Sequence, residues 1–153
     1  MGVRIGKGLL FGAVAGVMVI AAVDRLAIPA FNRIALQPEG GAPCRVVRVI
    51  DGDTMTMYCE GRGHTRARLI GFDTPEIFSP RCPSELRRGL QAKLRLQMIL
   101  WQADEVSLVR SGTDRYGRGL VSLFVDGRNV AQQMIGEGLA RPYDGGQRRG
   151  WCA

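Results

Sequence analysis

A small β-rich domain with two helices, its five strands wound into a Greek-key barrel, is the fold class that the sequence predicts for residues 44–153. Short alternating or β-branched runs bounded by Gly- and Asp-containing turns predict the strands. Two segments with helical spacing follow the third and the fifth of them. A length of 153 residues allows one core and excludes a multidomain machine.

Taken in order, Arg45 to Ile50 (RVVRVI) and Thr54 to Cys59 (TMTMYC) flank Asp51-Gly52-Asp53, a hairpin signature. Residues 60–64 (EGRGH) read as a second turn, with His64 as an exposed loop residue, and Thr65 to Ile70 alternates again. Ser84 is the expected N-cap of a helix from Glu85 to about Ala103, with Leu86, Leu90, Leu94 and Met98 along its apolar face. Strands are expected at Val106 to Val109 and Leu120 to Val125, the second closed by Asp126-Gly127. Asn129 then caps a short helix through Glu137, stopped by Gly138. The order β-β-β-α-β-β-α is compatible with a barrel of the OB type, whose open face and loops often hold nucleic acid.

Hydrophobic residues at 46% and charged residues at 23% exclude a disordered or fibrous chain. Lys and Arg outnumber Asp and Glu by 21 to 14, which favours an anionic partner, nucleic acid or a membrane surface. Upstream of the domain, Arg4 and Lys7 precede an uncharged apolar run from Leu9 to Val23. This is a targeting profile for residues 1–25, a signal-anchor or a signal peptide. The anchor is favoured because neither Val19-Ile20-Ala21 nor Ile20-Ala21-Ala22 has the small residue that cleavage wants first. Positive charge before the run places the domain outside the cytoplasm, in the periplasm or beyond the cell. Residues 26–43, with three Pro and two adjacent Gly, read as a linker.

All four cysteines, Cys44, Cys59, Cys82 and Cys152, lie in the domain, as two disulfides of an oxidising compartment would require. Zinc is rejected, since no two cysteines are close in sequence and His64 is the one histidine. Three pairings are open to four cysteines. Cys44 and Cys59 stand at mirror positions about the Asp51-Gly52-Asp53 turn, so the expected set is Cys44 with Cys59 and Cys82 with Cys152, the latter pinning the tail against the barrel.

Three stretches carry chemistry. Asp51-Gly52-Asp53-Thr54 puts two carboxylates in a tight turn. Arg66 to Glu76 (RARLIGFDTPE) ends in Asp73 and Glu76 across Pro75, which biases Thr74 away from helical geometry so that its carbonyl can face a ligand. Such a mixture of carboxylate and carbonyl oxygens suits a hard cation of the calcium kind. Thr113 to Gly119 (TDRYGRG) offers two guanidinium groups and a phenol, and guanidinium groups grip phosphate oxygens in pairs.

The stretches VVRVIDGDT, RLIGFDTPE, DRYGRGL and NVAQQMIGEGLARPY, in this order and spacing, resemble the staphylococcal nuclease family over about residues 44–144. The resemblance implies an OB-type barrel that hydrolyses phosphodiesters of DNA and RNA with one calcium ion. It implies Asp53 and Asp73 as carboxylate ligands and Thr74 as a carbonyl ligand of that ion, with Glu76 where the family has its proposed general base. Arg68 and Arg118 match the arginines that hold the scissile phosphate, and Arg115 and Tyr116 match neighbours that contact the nucleotide. Tyr143 falls about one position from the family's base-stacking tyrosine and is a further candidate contact.

The family's namesake continues into another helix, whereas only ten residues follow Tyr143 here. The implied function is a calcium-dependent nuclease acting outside the cytoplasm on DNA, RNA or both. The alternative is a barrel that binds nucleic acid without cutting it. A membrane contact is expected through the N-terminal segment if it is uncleaved, and no protein partner is expected. Replacing Arg68 or Arg118 is expected to slow turnover with folding nearly unaffected.

Overall fold

The computed structural model describes the backbone of residues 35–38 and, in full, residues 42–152. The apolar run Leu9 to Val23 and most of the expected linker lie outside these residues. Among the described residues no helix is long and apolar enough to cross a membrane.

Among the described residues, nine strands and two helices run β1 (Ala35–Pro38), β2 (Cys44–Val49), β3 (Thr54–Cys59), β4 (Gly63–Leu69), β5 (Gly71–Asp73), α1 (Pro83–Trp101), β6 (Val106–Thr113), β7 (Gly119–Val125), β8 (Arg128–Asn129), α2 (Val130–Gly136) and β9 (Arg141–Tyr143). The main sheet has the order β4-β3-β2-β1-β6-β7-β8, and β4 also pairs with β7, so the strands curl back on themselves. The expected five strands correspond to β2, β3, β4, β6 and β7. β1 falls within the stretch expected as a linker: it is antiparallel to β2 and parallel to β6, and so bridges them. β5 and β9 form a separate pair that sets Asp73 opposite Arg141.

Alternation of burial along β2, β3 and β7 sends Val46, Val49, Met55, Met57, Val121 and Leu123 inward, where they meet Leu69, Phe72, Leu108 and Met134. His64 is exposed as expected but stands on β4 and not in the turn, opposite Tyr58, with the two rings 5.4 Å apart edge to face.

Helix α1 corrects two expectations. It starts at Pro83 with Cys82 as its N-cap and no side-chain cap, so Ser84 lies inside its first turn. Its core face is Glu85, Gly89, Ala92, Leu96, Ile99 and Leu100, whereas Leu94, Met98 and Trp101 are 43%, 47% and 60% exposed. The leucine spacing indicated the neighbouring stripe. The inward stripe includes small residues because loops pass very close to it. Asn129 caps α2 as expected, its side chain accepting from the Gln132 amide at 3.3 Å.

Two disulfides join Cys44 to Cys59 and Cys82 to Cys152. The first links directly opposed residues of β2 and β3 with Cα atoms 4.0 Å apart. The second spans 70 residues and ties the tail to the start of α1. Closing so long a loop restricts the unfolded chain, which typically stabilises a protein by about 2–4 kcal/mol. Cys152→Ser should therefore lower the melting temperature by more than about 5 °C. Equal melting curves for parent and variant would show that the tail adds nothing to stability.

Candidate active site

The strand register assembles the site. In the β3–β4 ladder Thr54 lies opposite Arg68, so Asp53, one residue before β3, arrives beside the Arg68 side chain. On its other edge β4 runs parallel to β7 with Ala67 opposite Gly119, which brings Arg118, at the entrance to β7, alongside the same strand. The chain then leaves β4 for β5 and delivers Asp73.

Two glycines make this convergence possible. A Cβ on Gly52 would come within 2.8 Å of Ala92 Cβ and of both Thr74 side-chain branches, and one on Gly89 within 2.8 Å of the Pro75 carbonyl. The Asp51–Asp53 turn and the Pro75–Glu76 loop therefore rest directly on α1. Gly52→Ala should destabilise the fold by about 1–3 kcal/mol through overpacking, readable by urea denaturation. An unchanged midpoint would mean that the turn has room to shift.

Asp53 and Arg68 are 2% and 7% exposed. Arg68 Nη1 contacts Asp53 Oδ1, and its Nη2 lies 3.3 Å from Asp73 Oδ1, so one guanidinium bridges both carboxylates. The second oxygen of Asp53 accepts from the Thr74 amide at 3.2 Å and the Thr74 hydroxyl at 3.0 Å, and the Thr54 hydroxyl donates to the first at 3.1 Å. Burial pushes the Asp53 carboxyl up to about 6 from an ordinary 3.8; Arg68 opposes this, while Asp51 adds to it. Two adjacent buried carboxylates, with neither thiolate nor histidine in the contact set, form a hard-oxygen donor set of the kind that suits a hard cation. A second cluster, Cys82, Glu85 and Cys152, offers a metal little, because both sulfurs are consumed in the disulfide.

Arg68 opens onto a cleft of about 1070 Å³ that is also lined by Arg115, Tyr116, Arg118, Tyr143 and Arg148. Arg118 is held from below: Asp114 accepts from its Nε at 2.8 Å and from the Tyr116 and Arg118 amides at 2.9 Å. Although desolvation works against it, those hydrogen bonds keep the Asp114 carboxyl below the usual carboxylate range. Tyr116 lies exposed on the rim, with Arg115 and Arg118 over its ring at 5.0 and 5.5 Å. Glu76 is half-buried, and one of its oxygens accepts from the Ile77 and Phe78 amides at 2.9 and 3.0 Å, which fixes its carboxylate within the loop that follows Asp73.

The expected Cys82–Cys152 pairing put the tail on the active-site side of the barrel, but sequence reasoning named no site residue in it. No helix follows Tyr143 among the described residues; residues 144–152 run across the site instead. Arg148 Nε lies 3.1 Å from Asp73 Oδ1, and the buried Trp151 donates from Nε1 to Asp73 Oδ2 at 3.3 Å. Arg141 stacks on the Trp151 ring at 3.8 Å and donates to the Gly150 carbonyl at 2.9 Å. The available signal was the expected Cys82–Cys152 pairing, which draws RRGW, immediately before Cys152, toward the β5 end of the barrel.

The chain matches the family described as staphylococcal nuclease homologues over residues 66–149, more than half its length. It belongs to the staphylococcal nuclease family. This family member is 33% identical over 100 residues to a Haemophilus influenzae protein described as an uncharacterized endonuclease, an alignment covering 65% of the chain and 52% of that relative. It is 28% identical over 138 residues to the thermonuclease of Staphylococcus hyicus, covering 90% and 80% of the two chains. With the endonuclease YncB of Bacillus subtilis the identity is 32%, over 61% and 44%. The chain thus spans about half the length of the Haemophilus relative.

Proposed function

We propose that this protein is a calcium-dependent nuclease that hydrolyses phosphodiester bonds of DNA, RNA or both. The observation that carries the reading is the juxtaposition of two buried carboxylates with an arginine-lined cleft, joined through Arg68, which belongs to both. Family membership and relatives named as thermonuclease and endonuclease support it.

Asp53, Asp73 and the Thr74 carbonyl would hold the calcium, which when bound polarises a phosphoryl oxygen and favours the ionised form of a nearby water. The protein's own groups do the rest. Arg68 and Arg118 donate hydrogen bonds to the phosphate as charge grows on it, from positions fixed beforehand by Asp53 and Asp114, so that little reorganisation is needed. Glu76, anchored by two backbone amides, takes the proton of the attacking water. Arg115 and the exposed Tyr116 ring, with Tyr143 opposite, receive the flanking phosphate and base.

Incubation of the chain with single-stranded DNA and RNA should give cleavage with calcium and none with chelator. Binding without calcium-dependent cleavage of either substrate would instead establish the non-catalytic alternative. An exported location is part of the proposal, supported by the charge-flanked run Leu9 to Val23 and by two disulfides. Alkaline phosphatase fused after Ala153 should be active, and an inactive fusion in an otherwise stable protein would overturn it.

A further inference from the structure

We infer that Arg148 is a substrate-binding residue, a guanidinium presented to a phosphate of the bound strand by the C-terminal tail that the Cys82–Cys152 disulfide holds across the cleft. This rests on the phosphodiester substrate proposed above, but no motif of the barrel supplies the residue.

Arg68 is buried and given over to two carboxylates, and its exposure to the cleft is small. Arg148 makes the opposite compromise. A guanidinium carries five donors; the contact with Asp73 engages Nε and a hydrogen bond to Tyr143, whose ring lies 5.8 Å away, engages another, while the side chain remains 43% exposed and lines the same cleft as Arg115 and Arg118. The two carboxylates and the two guanidinium groups of Arg68 and Arg148 balance in charge. A dication held by the carboxylates would therefore leave the cluster at +2, which an anionic phosphate offsets. A residue serving only to pin the tail would be redundant. The tail is already fixed by the disulfide, by the Trp151–Asp73 hydrogen bond and by Arg141, which both stacks on Trp151 and bonds Gly150. Exposure toward the cleft, where the other arginines gather, is what the pinning role does not require.

The test is equilibrium binding of a fluorescent single-stranded DNA oligonucleotide in chelator, where nothing is cut, over a range of NaCl concentrations. Arg148→Ala should weaken binding about 5- to 20-fold and reduce the slope of log K against log salt by about 0.7, one phosphate contact on a single strand. Arg148→Lys, which keeps the charge, should retain the slope. In a Cys82→Ser/Cys152→Ser background, Arg148→Ala should add a smaller loss, because the tail is then held only by the Trp151, Arg141 and Arg148 contacts and presents the side chain for less of the time.

Arg118→Ala serves as the reference. If it weakens binding while Arg148→Ala leaves affinity and slope unchanged, Arg148 is a tail clamp and this inference falls alone. If neither variant changes binding, this inference falls, and the phosphodiester reading falls with it only where the parent also fails to bind or cut single-stranded DNA and RNA. A full additional loss from Arg148→Ala in the untied background would equally overturn delivery by the tail.

Discussion

Arg68→Ala should lower stability by about 3–5 kcal/mol and abolish measurable cleavage together. The two losses have one cause. The guanidinium is the positive charge shared by Asp53 and Asp73, both buried, and without it Asp53 loses its ion-pair partner in a low-dielectric pocket while Asp73 keeps only the contact with Arg148. The expectation drawn from sequence, that folding would be nearly unaffected, treats Arg68 as a surface donor; its burial makes it part of the core. Urea denaturation reads the stability and a fluorescent oligonucleotide the cleavage. Adding Asp53→Asn to the variant should recover part of the stability and none of the activity, since it removes one uncompensated charge and one proposed calcium ligand. A variant as stable as the parent would show that water or an ion fills the place of the guanidinium at no loss.

Arg118→Ala should behave differently, losing about 10²- to 10³-fold in kcat with a melting temperature close to that of the parent. Its ion pair with Asp114 is partly exposed, and pairs of that kind contribute about 0–1 kcal/mol. Arg118→Lys should recover only part of the rate, because an ammonium cannot give the paired, planar donors that a phosphate accepts. Single-turnover kinetics separates this from weaker binding, and a kcat within twofold of the parent would remove Arg118 from the chemistry.

The contrast between these arginines marks where the sequence was readable. Turn chemistry and alternation located β2, β3, β4 and β7 closely, because an Asp-Gly turn between alternating runs allows few other structures. The stripe of α1 was misjudged for a physical reason: leucines at four-residue spacing look like a core face, but the real contact is made by Gly89 and Ala92, where a turn and a loop come too close for larger side chains. β1 and β9 are short, and each pairs with a strand far along the chain, β6 and β5 respectively, which no local pattern announces. At the site, the spacing of Asp53, Asp73, Arg68 and Arg118 was legible, but their burial was not. Arg148 and Trp151 reach Asp73 on a tail whose end is tied by a covalent bond between residues 70 positions apart, which no periodicity encodes.

That bond also sets a sequence of events in biosynthesis. Cys152 follows the other three cysteines, so from residue 82 to residue 151 three thiols are present with three ways to pair. The β2–β3 hairpin resolves the competition, since hairpins form in about 1–10 μs and this one places Cys44 directly opposite Cys59. Cys82 is thereby kept in reserve. In the folded chain the residues leading to the tail pair through β9 with β5, so closure with Cys152 is expected to follow assembly of that pair. Alkylation trapping during refolding should accordingly capture a species with the first disulfide and two free thiols. Closure of the second is then a late quality check, and a chain whose barrel has misassembled never receives its tail across the cleft.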